Sequence, residues 1–221
     1  MPEPEPSDRR LLVLGAGGHA KVVLEILREG GFEVIGLLDN DPSPRTVSGV
    51  AVIGDDSRLP ELRASGVTQV FIALGDNALR MTLGRKAQAL GYSLVNAISS
   101  GARLSTTARV GKGVAIMAGA VVNAEADIED LAIVNTGAVI DHDVRVGEAA
   151  HVGPGCAVAG EVSLGERVFL GVGVSVIPRV VIGADVVVGA GACVVGDLPP
   201  AVMAMGVPAR VVRQLNQGSA S

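Results

Sequence analysis

A histidine set between two aspartates, Asp141-His142-Asp143, is the group in this chain best suited to moving a proton near neutral pH. A carboxylate beside an imidazole favours the charged ring and so raises its basicity. In the sixfold repeat described below, His142 is fifth in its block AVIDHD, near a corner and outside the core, and the residue one coil later is Gly160. With no side chain above His142, the spacing leaves room for a reactant and a bare N–H to face a developing oxyanion. The plain alternative is a solvated surface histidine.

A second group is suited to phosphate. Gly15-Ala16-Gly17-Gly18-His19-Ala20-Lys21 follows an apolar run, Arg10 to Leu14, and opens a helical pattern that lasts through Arg28. In that setting Gly15 turns the chain, Gly17 lets backbone approach a phosphate, Ala20 permits close helix packing, and the helix N-terminus offers N–H groups to an anion. A second strand, Glu33 to Leu38, ends in Asp39-Asn40-Asp41, where an acidic residue meets a ribose hydroxyl. Gly75-Asp76-Asn77-Ala78-Leu79-Arg80 follows another strand, so Asn77 and Arg80 are candidate ligand contacts, while Asp76 or Asn77 also reads as a helix cap. Further strands are expected near Val52, at Thr68 to Leu74 and at Ser93 to Val95, with helices at Leu59 to Ala64 and Asn77 to Leu90. This amounts to one half of a dinucleotide fold. A single half with a glycine turn suits a nucleotide carried on one pyrophosphate, such as a nucleotide-sugar, better than NAD; a glycine turn with no ligand is the other reading.

The element that must position His142 runs from Ala108 to Asp197. It divides into fifteen blocks of six, each with Val, Ile or Leu third and Ala, Val or Cys first. A period of six is not helical. It is the signature of a parallel β-helix in which three blocks make one triangular coil and stacked coils share a core, here about five coils. Two earlier blocks keep the frame with Ile98 and Leu104, so the prism is expected to begin near Asn96. The expected organisation is a Rossmann-like domain over 1–95, a β-helix with its C-terminal segment over 96–213, and a disordered tail over 214–221; residues 1–8 also read as disordered.

Composition narrows the functions. The net charge of −5 argues against nucleic acid, which needs a basic face. Charges or glycines interrupt every apolar run before the ~18 residues that cross a bilayer, so no membrane insertion is expected. The acidic, Pro-rich start MPEPEPSDRR is unlike a signal peptide, which points to the cytoplasm. Aromatics at 2%, with no Trp, suit a narrow prism filled by aliphatics. Cys156 and Cys193 occupy distant blocks and read as reduced structural thiols. Two prism histidines half a coil apart make a poor metal site, so no metal is expected.

The repeat resembles the left-handed β-helix of the hexapeptide acyltransferases, and the handedness is implied by that resemblance alone. GAGGHAK at the front, the hexapeptides, NTGAVIDHD, His151 and the GVPAR segment at Gly206 to Arg210 together resemble the sugar N-acetyltransferases that join a short nucleotide-binding domain to such a prism. That group includes bacillosamine and perosamine N-acetyltransferases and sialic acid O-acetyltransferase relatives, and the wording of IGDD, ALGDNALR, LGRKA and LVNAI is most like the perosamine type. The resemblance implies an acetyl-CoA co-substrate in a groove between subunits of a homotrimer, with His142 as base paired to Asp143. It puts Gly160 in the oxyanion region, and His151, Gly173, Gly191 and Arg210 beside coenzyme A. The glycine turn (Gly15, Gly17, Gly18, His19), Asp39, Asn40, Asn77 and Arg80 are then the candidates for the sugar nucleotide. Where bacillosamine-type enzymes carry Glu, this chain has the shorter Asp143.

The expected function is acetyl transfer to the amino group of a nucleotide-linked deoxyamino sugar. O-acetylation of sialic acid or another small hydroxyl acceptor, and a non-catalytic nucleotide-binding trimer, remain open at the level of sequence.

Overall fold

The computed structural model describes residues 9–215. The ends expected to be disordered, 1–8 and most of 214–221, lie outside that range, except that Gln214 closes a strand and Leu215 follows it. The chain divides into two compact units between Ser100 and Gly101.

The first unit is a three-layer α/β arrangement. Its elements run β1 (Arg10–Leu14), α1 (Gly18–Glu29), β2 (Glu33–Leu38), β3 (Thr46–Val47), β4 (Val50–Gly54), α2 (Leu59–Ala64), β5 (Gln69–Ile72), α3 (Asn77–Ala89) and β6 (Ser93–Leu94), in sheet order β3-β4-β2-β1-β5-β6. β1 is parallel to both β2 and β5, and Leu11 to Leu14 are fully buried, as a central parallel strand covered on both faces requires. Helix α1 buries Ala20, Val23, Leu24 and Leu27, the i, i+3, i+4, i+7 stripe of a helix packed on a sheet. The chain goes to one side of β1 for β2 and to the other for β5. That reversal opens a crevice at the carboxyl ends of β1 and β5, where open α/β sheets bind ligands.

The second unit is a left-handed parallel β-helix. Two-residue strands pair with strands eighteen residues on, as in Val121↔Val139↔Ala157↔Ser175↔Cys193, which is one turn of three blocks. From Val114 to Val194 every first and third block residue is buried in one continuous core. A charge placed at Ile140 or Val158 would have no partner there.

Sixth block residues turn each corner with positive φ at every sixth position from Gly113 to Gly191, and eight of these residues are not glycine. The left-handed corner is therefore a property of the coil, met by glycine in some columns and by Glu, Asp, Arg, Leu or Ala in others.

Two expectations change. Ile98, in frame, is 38% exposed, and Leu104 and Val110 are only partly buried, because rungs at the end of a stack have a neighbour on one side only. The residues after GVPAR, whose sequence reads as a short helical tail, form a strand instead, Arg210–Gln214, antiparallel to Val202–Met205. Pairing with the last open edge of the sheet satisfies backbone groups that a helix would have left exposed.

Candidate active site

His142 sits on the corner that follows strand Val139–Ile140. Its Nδ1 lies 2.8 Å from Asp143 Oδ2, and its backbone N–H donates to Asp141 Oδ1 at 2.8 Å. Asp143 holds a positive φ of 58°, so the turn itself aims its short carboxylate back at the ring. The ring is 53% exposed. The hydrogen bond to Asp143, with further negative charge on Asp141, Asp143 and Glu161, raises the His142 pKa above the ordinary imidazole value.

Gly160 lies directly against this ring: a Cβ there would come within 2.6 Å of imidazole Cε1 and Nε2. The space left by the missing side chain is thus filled by His142 itself, a correction to the expectation that it stands empty for a reactant. Above and below, Glu161 N–H donates to His142 O, and Arg179 N–H donates to Gly160 O. Gly160's own N–H has no hydrogen-bond partner among the described residues. Glu161 is engaged by Arg179 in an exposed ion pair at 3.2 Å.

The corner that joins the other end of this wall is different. Gly119, Gly137, Gly155, Gly173 and Gly191 stack one coil apart, all exposed and all at positive φ. Added Cβ atoms at the last four would meet nothing within 4 Å. Gly173 and Gly191 therefore belong to a bare ridge whose other three members escape a reading by motif, although the eighteen-residue spacing marks them.

His151 is on another wall. It is buried, its Nε2 is 3.0 Å from Asn135 Nδ2, and it meets Phe169 edge to face at 5.2 Å. Arg210 is exposed on the C-terminal strand. Cys156 is buried with its thiol donating to Gly171 O at 3.0 Å, and burial pushes its pKa up, while Cys193 stands three coils from Val139 on the same sheet. Neither sulfur belongs to the His142 corner. Among the described residues no cluster of His, Cys, Asp and Glu is arranged to hold a metal, and no helix is long and apolar enough to cross a membrane.

In the first unit the glycine turn has the geometry its residues imply. Gly15 has φ +104°, and a Cβ there would collide with Ala73 O at 2.6 Å, whereas Gly17 and Gly18 look onto open space. Asp39 lies at the end of β2 and accepts from Ala16 N–H at 2.7 Å; its other oxygen pairs with Arg45 at 3.0 Å. This carboxylate pins the glycine turn from across the sheet. Asn40 beside it is exposed.

Arg80 is buried and donates to Leu74 O at 2.8 Å, to Gly75 O and to Asn77 Oδ1 at 2.8 Å. Burial lowers its pKa to about 10. It braces the loop after β5, a structural duty that its place at a strand end does not reveal. Asp76 is the helix cap, accepting from Leu79 N–H at 2.7 Å. His19 is held neutral, with its pKa lowered to about 4 by burial and by Arg80.

Comparison with known proteins bears on both units. The family described as the PglD N-terminal domain matches residues 10–87. Perosamine N-acetyltransferase PerB from Caulobacter crescentus, solved with CoA and GDP-perosamine, is 56% identical, with a TM-score of 0.89 over 92% of this chain and 97% of that one. The chain belongs to the hexapeptide-repeat sugar N-acetyltransferases. A second member, the acetyltransferase domain of PglB from Neisseria gonorrhoeae, solved with acetyl coenzyme A, is 35% identical with a TM-score of 0.86 over 92% of this chain and 99% of that one. WeeI from Acinetobacter baumannii, at 21% identity and a TM-score of 0.81 over 91% and 99%, shares the fold. A curated relative, an uncharacterized protein of Acanthamoeba polyphaga mimivirus, is 30% identical over 98 residues, so this acetyltransferase-family chain spans only 19% of its length.

Proposed function

We propose that this enzyme transfers the acetyl group of acetyl-CoA to the amino group of a nucleotide-linked deoxyamino sugar, with His142 as general base. The observation that carries the reading is the bond between His142 Nδ1 and Asp143. A carboxylate can only accept, so in the neutral ring Nδ1 carries the proton and Nε2 holds the lone pair that takes one. As the amine nitrogen bonds to the thioester carbonyl carbon, Nε2 receives the amine proton. The C–S bond then breaks and the thiolate leaves with its electron pair. The free N–H of Gly160 is the donor proposed for the carbonyl oxygen as charge develops on it. With both cysteines elsewhere, direct transfer without an acyl-enzyme is the simplest scheme.

The bare ridge of Gly173 and Gly191, continued by Gly155, supports the coenzyme assignment, since an extended thioester arm can lie closely only where side chains are missing. Arg210 is assigned to coenzyme phosphate and buried His151 to shaping the wall near it. In the first unit, Gly17 and Gly18 are the surfaces proposed for the pyrophosphate, with Gly15, His19, Asp39, Asn77 and Arg80 shaping the crevice and exposed Asn40 available to the ribose. The PerB structures contain CoA and GDP-perosamine, and two of them carry Asn or Ala in place of one histidine, which supports both the ligand pair and the choice of a histidine as the base. A homotrimer is part of the reading, supported by the outward apolar side chains Val139, Val172, Ile177 and Val181. So is a cytoplasmic location, where acetyl-CoA is available.

The test is thiol release from acetyl-CoA with GDP-, UDP- and dTDP-linked amino sugars. Release with an amino sugar and none with its N-acetylated form is expected. Release only with hydroxyl acceptors would replace the reading by O-acetylation, and none with any acceptor would leave a binding protein. Sedimentation near three times 22.3 kDa is expected, and a monomer at micromolar concentration would remove the homotrimer.

A further inference from the structure

The corner carrying His142 has a polar support that the mechanism above does not use. Column by column, the fourth block residues there are Asn123, Asp141, Ala159 and Ile177, so two polar side chains sit on adjacent rungs with apolar ones following. Asn123 Nδ2 donates to Asp141 Oδ1 at 3.1 Å, and the same oxygen accepts the His142 backbone N–H at 2.8 Å. Asn135 uses its Oδ1 in the same way on Thr136 N–H at 2.8 Å, which shows how a fourth-position side chain can lock the fifth residue of a corner. One coil after His142 the fourth residue is Ala159, which cannot do this, and the Gly160 N–H stays open. The rung that carries the histidine is therefore locked, and the next is left with a donor.

We propose that Asn123 and Asp141 are a positioning pair for His142: the Asn123 amide holds the Asp141 carboxylate, which in turn fixes the His142 backbone and places a second negative charge beside the ring. This rests on His142 being the base. Asp141 itself has its pKa lowered, first by the His142 backbone N–H and then by Asn123, so it stays ionised wherever the histidine titrates. The other charged groups facing the ring are Asp143 on its own corner and Glu161 from the next coil, the latter offset by Arg179. On the preceding coil Glu125 is turned to Arg109 at 3.8 Å. Asp141 is thus held by an amide that does not titrate, whereas the partner of Asp143 is the titrating ring itself and that of Glu161 is a cation.

The experiment compares Asp141→Asn, Asp141→Ala, Asn123→Ala and the Asn123→Ala/Asp141→Ala double variant in the intact enzyme, by kcat, KM and the pH profile of kcat. Asp141→Asn keeps an oxygen for the His142 N–H and loses the charge. Its acid limb should therefore move to lower pH, because a less basic ring stays neutral further down, and the plateau should fall modestly, by less than in Asp141→Ala. Asp141→Ala should show the same displacement and also lose about tenfold in plateau kcat, less than the ~10² that a full ~1 Å misplacement of a reacting group can cost, with KM for both substrates nearly unchanged. Asn123→Ala should lower kcat less, and the double variant should be no worse than Asp141→Ala alone, since the support is redundant once the carboxylate is gone.

An unmoved acid limb in Asp141→Asn, or losses that multiply in the double variant, would overturn the pair. His142→Ala is run alongside: if it keeps wild-type kcat the base assignment falls and the pair with it, whereas an impaired His142→Ala with an unmoved Asp141→Asn limb rejects the pair alone. Should Asp141→Ala not fold, the Asp141→Asn profile decides.

Discussion

Two corners of the same prism obey one backbone rule and carry opposite side chains. At the first, Gly119, Gly137, Gly155, Gly173 and Gly191 turn with φ near +70°; at the second, Glu125, Asp143, Glu161 and Arg179 turn with φ between 55° and 65°. A left-handed φ usually explains a glycine, but here it does not, since Glu, Asp and Arg adopt it one corner away. On the proposed reading, the glycine ridge is explained by the coenzyme that approaches it and the charged column by what its side chains do, so the two corners are a surface for close contact and one for proton chemistry.

The largest effect should come from the charged corner. General-base assistance contributes about 10² to 10⁴ in rate, so His142→Ala is expected to lower kcat by that order while both substrates still bind. The acid limb of kcat should vanish in the residual activity. Near-wild-type kcat on the true acceptor would leave the corner without its chemistry.

Filling the ridge should act on binding. Leu131 takes φ +61° in the third corner column, so the coil tolerates leucine at such a turn. Gly173→Leu should therefore fold, raise KM for acetyl-CoA about tenfold, equivalent to ~1.4 kcal/mol, and leave the sugar nucleotide KM alone. Unchanged acetyl-CoA kinetics would mean that the ridge is bare for some other reason. The matching substitution in the first unit, Gly17→Val, should do the reverse, raising KM for the sugar nucleotide only, because its Cβ enters the open space over the turn.

Much of this is legible in the sequence because the repeat is so regular. A period of six with apolar first and third positions places the core rungs, and the same count puts Gly160 beside His142 and Gly173 beside Gly191. What the count cannot show is where side chains spend their hydrogen bonds. Arg80 follows a strand end on a ligand-binding edge, yet its guanidinium goes to Leu74 O, Gly75 O and Asn77. Asp39 stands where a ribose contact belongs and also ties down Ala16 N–H. The Asn123 to Asp141 bond spans eighteen residues and is visible only once the coil is closed. The final strand escapes a reading by period because its partner edge, Val202–Met205, falls after the frame breaks and leaves no repeat to follow.

A smaller effect tests Asp143 within its column. Asp143→Asn keeps a group beside Nδ1 and removes the charge, so the His142 pKa should fall toward its ordinary value. The sign follows: with the ring less basic, the acid limb of kcat moves to lower pH, and plateau kcat should fall less than in His142→Ala. A limb that moves to higher pH would contradict the assigned electrostatics.

The smallest effect asks whether the charged column needs its acids for stability or for chemistry. Glu125 has the same left-handed turn as Asp143, with φ +57°, but it faces Arg109 at 3.8 Å rather than a histidine. Relieving a left-handed φ by glycine gains roughly 1–2 kcal/mol, against about 0.5–1 kcal/mol for the entropy glycine loses on folding. The exposed ion pair is worth about 0–1 kcal/mol, and at 3.8 Å it lies toward the low end. Glu125→Gly should thus be neutral to stabilising by ~0.5 kcal/mol, a rise of about 1–2 °C in Tm at this chain size, with kcat unchanged. Asp143→Gly gains the same backbone relief and should hold or raise Tm, yet it strips Nδ1 of its partner and should lower kcat. Stability and activity moving apart at Asp143, and not at Glu125, is the outcome expected if the column was given its acids one rung at a time for different purposes. A fall of several degrees in Tm for Glu125→Gly would show instead that the acids hold the corner, and the contrast with the glycine ridge would then be structural rather than chemical.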